Sequence, residues 1–114
     1  MKAMLFSDPL PPPVEYQPAA ERILSGAPLQ RAWELYASAD GRFSSGIWEC
    51  APGKWRVVFD EQEFCHLLAG EIVITSDEGV VQHVKAGDAF VTPAGFTGTW
   101  DVLSTARKEY AIYR

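Results

Sequence analysis

Hydrophobic and polar residues alternate with a period of two along most of the chain after Gln30. Turn residues interrupt the alternation roughly every eight to twelve positions, which is typical of a β-sandwich or β-barrel. No long helix is predicted. The alternating segments predict nine short strands, over residues 31–37, 43–50, 55–59, 63–68, 71–75, 80–84, 89–92, 97–103 and 108–113. Because antiparallel strands hide their edges by closing on themselves, the pattern favours a closed or nearly closed barrel over an open sandwich.

The first 28 residues have a different character from the rest. Five of the eight prolines lie among the first 18 residues. Proline fixes φ and lacks the N–H that a β-ladder needs, so this segment is predicted to be extended. Residues 19–25 are compatible with one short helical turn, which Gly26 would end. We therefore predict a proline-rich arm over residues 1–28 and a single domain over residues 29–114, since 114 residues suit one core.

Charge and cysteine content narrow the classes of partner and compartment. The net charge is −5, and the chain has no cluster of Lys and Arg, which argues against nucleic acid and against an anionic membrane surface. Cys50 and Cys65 form no C-x-x-C motif and lie in predicted strands, so they are interpreted as buried free thiols. No stretch has the length of a signal peptide core or a membrane span. These features predict a cytoplasmic protein.

Two glycine-containing stretches resemble the paired motifs of the cupin superfamily. Glu63 is followed seven residues later by Gly70, and residues 87–95 run glycine, five residues, then Pro-x-Gly. The finer texture is similar to small single-domain cupins of the ureidoglycine aminohydrolase and ethanolamine-utilisation branch, from about Trp33 to Tyr113. The resemblance implies an all-β cupin barrel, a jelly roll of the double-stranded β-helix type. It is carried by Gly46–Gly53, Glu63–His66, Gly87–Phe90, Pro93–Phe96, Gly98–Trp100 and Arg107–Tyr110.

The ligand set that the resemblance implies for a metal is largely missing. Metal-binding cupins present two histidines and a glutamate from the first motif and one histidine from the second, a set that suits Mn, Fe, Ni or Zn. Here only Glu63 keeps its place. The His-x-His positions fall on Arg56 and Val58, or on residues 57 and 59 in a shifted register, and the last position is Gly98. We therefore predict no metal and no other cofactor.

A composite metal site is the alternative. It would combine Glu63 with the two histidines of the chain, His66 and His83. Strand alternation sends Glu63 and His66 to opposite faces, so this site would need a bulge to align its ligands.

An interior carboxylate without a metal needs another positive partner, and a guanidinium is a natural one. If the first register holds, Arg56 faces the interior beside Glu63, and the pair would orient a small polar or anionic ligand. The pair could equally be structural, or Arg56 could point to solvent beside the acidic residues that follow it. The full set of predicted ligand-binding residues is Glu63, Arg56, Trp100, Glu49 and Tyr110, with Trp100 near the pocket mouth by the resemblance.

Three functions remain open at this point. The first is a small-molecule-binding protein with its ligand in the barrel interior. The second, by analogy with the aminohydrolase branch, is an enzyme acting on a small nitrogenous or carboxylate metabolite, with Glu63 as general base or as a metal ligand. The third is a structural or interaction module whose arm adds an edge strand to a partner subunit. A homodimer is predicted in that arrangement.

Overall fold

Strands account for nearly all of the regular structure, as the alternation predicts. The computed structural model describes all 114 residues. The strands are β1 (Val14–Tyr16), β2 (Ile23–Gly26), β3 (Gln30–Ala37), β4 (Phe43–Cys50), β5 (Gly53–Val58), β6 (Gln62–Ser76), β7 (Val81–Lys85), β8 (Ala89–Thr92) and β9 (Thr97–Tyr113). The only helical segment is a 3-10 turn over Ala20–Arg22. The structure has no helix with the length and apolar character required to cross a membrane.

The number of strands agrees with the prediction for two offsetting reasons. β6 and β9 each run through a predicted break, so that two pairs of predicted strands are single long ones. β1 and β2 lie in the proline-rich segment, where no strand was predicted. The helical turn predicted over residues 19–25 is reduced to three residues, because β2 begins at Ile23.

β9 is the strand around which the sheet curls. Its second half, residues 106–113, pairs antiparallel with β4, and its first half, residues 97–102, pairs with β5. β6 runs along the other side of β9 and pairs with both halves. The result is two half-sheets that share β6 and β9. The front half-sheet contains β1, β3, β4 and β8, and the back half-sheet contains β2, β5 and β7.

β6 passes from one half-sheet to the other at Gly70. This residue has φ +86, and a Cβ there would lie 2.4 Å from the carbonyl oxygen of Thr105, so only glycine fits. The register between β6 and β9 shifts between Leu67 and Ile72, which is how a bulge bends a strand without ending it. Gly70 therefore bends β6 at the point where the sequence pattern predicts a break between two strands.

Inward-facing residues of both half-sheets form one core. Four of the five aromatic ring pairs in this core involve Trp100. Its ring meets that of Trp48 edge-on, with the centroids 5.8 Å apart, and lies 6.3 Å from the ring of Trp55. Edge-on and tilted ring pairs of this kind are favourable beyond their buried area. Cys50 and Cys65 are buried in this core as free thiols, which confirms the prediction.

Residues 14–26 connect the edges of the two half-sheets, and we call them the clasp. β1 pairs with β3 at the front edge, in the register Val14↔Ala32, and β2 pairs with β5 at the back edge, in the register Ile23↔Trp55. Residues 17–22 therefore cross from one half-sheet to the other. The strand added by β1 lies on β3 of the same chain, and the homodimer with an exchanged arm stays a prediction.

Candidate functional site

A cavity of about 610 Å³ lies between the two half-sheets, on the side where the clasp crosses. Eleven of its 18 lining residues are hydrophobic. The volume and the mixture of apolar walls with a few polar groups are typical of small-molecule sites. The lining comes from the clasp (Tyr16, Pro18, Ala19, Glu21, Arg22), from β3 and β4 (Gln30, Ala32, Trp48), from β5 and the residue after it (Trp55, Arg56, Val57, Val58, Phe59) and from β6 and β9 (Glu63, Trp100, Lys108, Tyr110, Ile112).

Glu63 and Lys108 form a buried ion pair in the cavity wall. Lys108 Nζ donates a hydrogen bond to Glu63 Oε2 over 2.6 Å, and the two side chains are 4% and 11% exposed for Lys108 and Glu63, respectively. Alternation directs both inward, because Glu63 is in phase with buried Cys65 on β6, and Lys108 is in phase with buried Ala106 on β9. A charge-assisted hydrogen bond of this length is among the stronger interactions that a side-chain pair can make.

Lys108 also contacts two indole rings. Its Nζ lies 4.5 Å from the ring centroid of Trp48 and 4.6 Å from that of Trp100, within range of a cation–π interaction. Burial by itself would lower the pKa of Lys108, but the adjacent Glu63 carboxylate and the Cys65 side chain raise it above its usual value. The cavity wall therefore contains a cation, balanced by one carboxylate and held between two aromatic faces.

The two oxygens of Glu63 have different environments. Oε2 accepts from Lys108 and, over 3.3 Å, from the Cys65 thiol. Oε1 has no hydrogen-bond partner within the chain and is not among the fully buried polar atoms, so it is accessible from the cavity that Glu63 lines. Burial raises the pKa of Cys65 to about 12, which keeps this thiol protonated and makes it a poor nucleophile.

Other polar groups line the same cavity. Trp48 Nε1 donates to Gln30 Oε1 over 2.8 Å. Burial raises the pKa of Tyr110 to about 12, so its hydroxyl stays neutral. Trp100 Nε1 is buried and has no acceptor within the chain.

Four of the five predicted ligand-binding residues line the cavity: Glu63, Trp100 and Tyr110 in its wall and Arg56 at its rim. The predicted Arg56–Glu63 pair is not formed, and this part of the prediction is wrong. On β5 the inward residues are Trp55 and Val57, so Arg56 faces outward at the rim, and β9 separates β5 from β6. Its guanidinium donates to both carboxylate oxygens of Asp77, over 2.6 and 3.1 Å.

Glu49, the fifth predicted residue, lies outside the cavity. Glu49 is on the outer face of β4, where it pairs with Arg107. Arg107 in turn lies 5.2 Å from the ring centroid of Trp33. Glu49 does not reach the interior because its neighbours Trp48 and Cys50 take the inward positions of β4.

The alternative metal site of Glu63, His66 and His83 is not assembled. His66 points outward and its Nδ1 donates to Glu109 Oε1 over 3.2 Å, while exposed His83 pairs with Glu71 over 2.9 Å. No group of three or more His, Cys, Asp and Glu side chains is close enough to hold a metal ion. The side chains around Glu63 also do not fit a divalent metal, because a permanently charged ammonium already lies 2.6 Å from its carboxylate.

Lys108 is the functional residue that sequence reasoning missed. The interior carboxylate does have a cationic partner, as predicted, but that partner is Lys108 and not Arg56. Strand alternation was the available signal, because residues two apart on a strand face the same side. Lys108 is two residues from Ala106 and two from Tyr110, and both of these face inward. That signal is weak locally, because residues 107–109 are all charged and show no alternation of their own.

The chain matches one protein-family model and is similar to several solved structures. The sequence model of the EutQ-like cupin domain matches residues 37–110. A protein of unknown function from Pseudomonas syringae superposes with a TM-score of 0.81 at 22% identity, over 96% of this chain. The EutQ protein of Clostridium difficile superposes with a TM-score of 0.66 at 19% identity, over 75% of this chain. A protein from Thermotoga maritima superposes with a TM-score of 0.55 at 31% identity, over 56% of this chain and 73% of its own.

The first two of these relatives are longer than this chain, which spans 46% of the Pseudomonas protein and 63% of the Clostridium protein. At these identities the similarity establishes a shared fold. No curated protein matches the chain.

Proposed function

This chain belongs to the EutQ-like cupin domain family, and from that premise we propose that it binds a small organic molecule in the cavity between its half-sheets, without a metal ion. The observation that carries the proposal is the buried Glu63–Lys108 pair in the cavity wall. The pair supplies polarity and orientation inside an otherwise apolar chamber, which is how small-molecule sites obtain specificity.

The cost of burying two charges supports a functional reading of the pair. Removing a carboxylate and an ammonium from water is expensive, and well-packed apolar residues of similar volume are often as stable or more stable. A pair buried deep in a filled core would serve packing alone. Glu63 and Lys108 instead line a chamber of about 610 Å³, where one carboxylate oxygen remains free to meet a ligand.

The absence of a metal from the proposal follows from the ammonium group. In a metal-binding cupin the glutamate completes a set of imidazole ligands. Here the Lys108 ammonium neutralises Glu63, and the nearest sulfur belongs to a thiol that burial keeps protonated. A divalent cation entering this position would be repelled by Lys108 and would meet one available carboxylate oxygen.

The clasp gives the chamber a mouth. Tyr16 at the end of β1 and Glu21 and Arg22 in the crossing segment line the cavity from the clasp. A ligand enclosed in the chamber would therefore contact the clasp as well as the barrel. This accounts for a polar rim around an apolar interior.

A test uses chelator-treated protein whose metal content has been measured by elemental analysis. A library of small organic molecules is screened by ligand-observed NMR, and cavity binding is checked with Ala32→Phe, which fills the chamber from β3. Ala37→Phe, at the exposed end of the same strand, is the matched control. We expect saturable binding by metal-free protein that Ala32→Phe abolishes and Ala37→Phe preserves. Binding only after metal is restored, or binding that Ala32→Phe leaves unchanged, would overturn the proposal.

A further inference from the structure

The charge balance of the chamber indicates what kind of molecule it takes. We infer that the ligand is an uncharged carboxamide or lactam with an apolar, preferably aromatic, body. This inference rests on the proposed function and specifies the class of ligand for the same cavity.

The charges that line the cavity cancel locally. Glu63 neutralises Lys108 inside, and Asp77 neutralises Arg56 at the rim. The two remaining charges in the lining, Glu21 and Arg22, are adjacent and opposite. A carboxylate ligand would find its cation already paired, and an ammonium ligand would find its anion already paired. Either ion would lose its hydration without gaining an uncompensated partner, so the chamber selects against both.

The free hydrogen-bonding groups specify a ligand that both donates and accepts. Glu63 Oε1 is an acceptor without a partner. Gln30 supplies the complementary donor. An indole N–H can only donate, so the bond from Trp48 Nε1 fixes Gln30 Oε1 as its acceptor and leaves the Gln30 amide N–H groups unpaired. A carboxamide or lactam offers an N–H to Glu63 and a carbonyl oxygen to Gln30 while carrying no charge.

The remaining wall suits a ring. Four aromatic residues line the cavity, and the rings of Trp48, Trp55 and Phe59 each contact Trp100, at centroid distances of 5.7 to 6.3 Å. Such a surface packs well against a flat apolar group. The amide would therefore bind at Glu63 and Gln30, and the ring against the aromatic wall.

Three molecules of nearly equal shape test the charge argument: benzamide, benzamidinium and benzoate. Their dissociation constants are measured by NMR titration at neutral pH. For the unmodified protein we expect benzamide to bind at least roughly tenfold more tightly than either ion, a difference of about 1.4 kcal/mol. Tighter binding of benzoate or benzamidinium than of benzamide would overturn the inference.

Charge variants of the pair give a sharper readout than the unmodified protein alone. Lys108→Met leaves Glu63 unbalanced and should shift the preference to benzamidinium, while Glu63→Gln leaves Lys108 unbalanced and should shift it to benzoate. The double variant carries a neutral pair of similar size and should return the preference to benzamide. It also keeps the test informative if a single variant does not fold. Cooperative thermal unfolding shows whether each variant is folded. Preferences that stay the same in all folded variants would refute the role of charge balance.

The outcomes separate this inference from the proposed function. One outcome is that molecules from the library bind in a way that Ala32→Phe abolishes while benzamide does not bind. In that case the inference fails and the proposed function stands. If no molecule binds in the cavity at all, both fail.

Discussion

Replacing Lys108 with methionine should be among the most damaging single substitutions available in this barrel. The change keeps most of the aliphatic stem and removes the ammonium, so packing is largely preserved. What is lost is the positive partner of Glu63 and the cation held between the rings of Trp48 and Trp100. The remaining carboxylate is then buried with no compensating charge.

The size of the effect follows from the geometry. Two unit charges 2.6 Å apart attract by about 6 kcal/mol at an effective dielectric constant near 20, and desolvation offsets part of this. Breaking a buried pair by removing one partner typically costs about 3–5 kcal/mol. We therefore expect Lys108→Met to lower the free energy of unfolding by about that amount. For a chain of this length the corresponding fall in Tm is roughly 12–20 °C, at about 4 °C per kcal/mol.

The assay is urea unfolding monitored by tryptophan fluorescence, with circular dichroism as a second probe of two-state behaviour. Glu63→Gln should cost less than Lys108→Met, because glutamine still accepts from Lys108 and the indole rings still contact the ammonium. The double variant should recover most of the loss, so that the two substitutions are strongly non-additive.

A loss of less than about 1 kcal/mol for Lys108→Met would contradict a buried ion pair, because losses of that size are typical of solvent-exposed pairs. Additive losses in the double variant would be equally contrary. Either outcome would mean that Glu63 and Lys108 are hydrated and independent rather than joined in a dry wall.

Three further predictions concern other parts of the molecule. Arg56→Met should leave affinity for a cavity ligand within roughly twofold of the unmodified protein, because Arg56 lies at the exposed rim and its guanidinium is already paired with Asp77; a larger loss in an NMR titration would show that Arg56 binds the ligand. Gly46→Ala places a methyl group 2.0 Å from a backbone carbonyl oxygen of β3, so chemical denaturation should show a loss of at least roughly 3 kcal/mol, against about 0.5 kcal/mol or less for the neighbouring Ser45→Ala; equal losses would contradict the close approach of β3 and β4. Burial raises the pKa of Cys65 to about 12 from roughly 8.5 in the unfolded chain, so its stabilising contribution is complete below about pH 8.5 and is lost as pH rises towards 12. Cys65→Ala should therefore flatten the alkaline fall in unfolding free energy, and an unchanged slope would refute this assignment.

The fold was predictable because alternation and turn residues act locally. β4 and β8 have the bounds that the pattern gives. The errors arose where local signals are silent. A glycine in a bulge and a glycine between two strands look alike in sequence, so β6 was divided. The three residues of β1 follow a run of prolines and gain their ladder only from the tertiary neighbour β3.

The site was predicted only in part, because the sequence did not settle which face of its strand each charged side chain takes. Glu63 and Trp100 were identified from the resemblance to the cupin family, and Tyr110 was one of the further candidates for the pocket. At β5 the alternation of Trp55 and Val57 already indicated that Arg56 faces outward, but the motif register was given more weight than the pattern. The phase of Lys108 is hard to recognise because residues 107–109 are all charged, and its pairing with Glu63 depends on β9 lying beside β6, which is a tertiary fact.

The central position of β9 has a consequence for how the chain acquires this structure. β4, β5 and β6 all pair with β9, and all three precede it in the sequence. Hairpins such as β3–β4 and β6–β7 can form early, but they remain separate, with unpaired edges, until residues 97–113 join them. Folding dominated by such sequence-distant pairing is slow, in the range of milliseconds to seconds. During that interval the exposed strand edges make this small barrel vulnerable to self-association, and the rate at which β9 docks decides the competition.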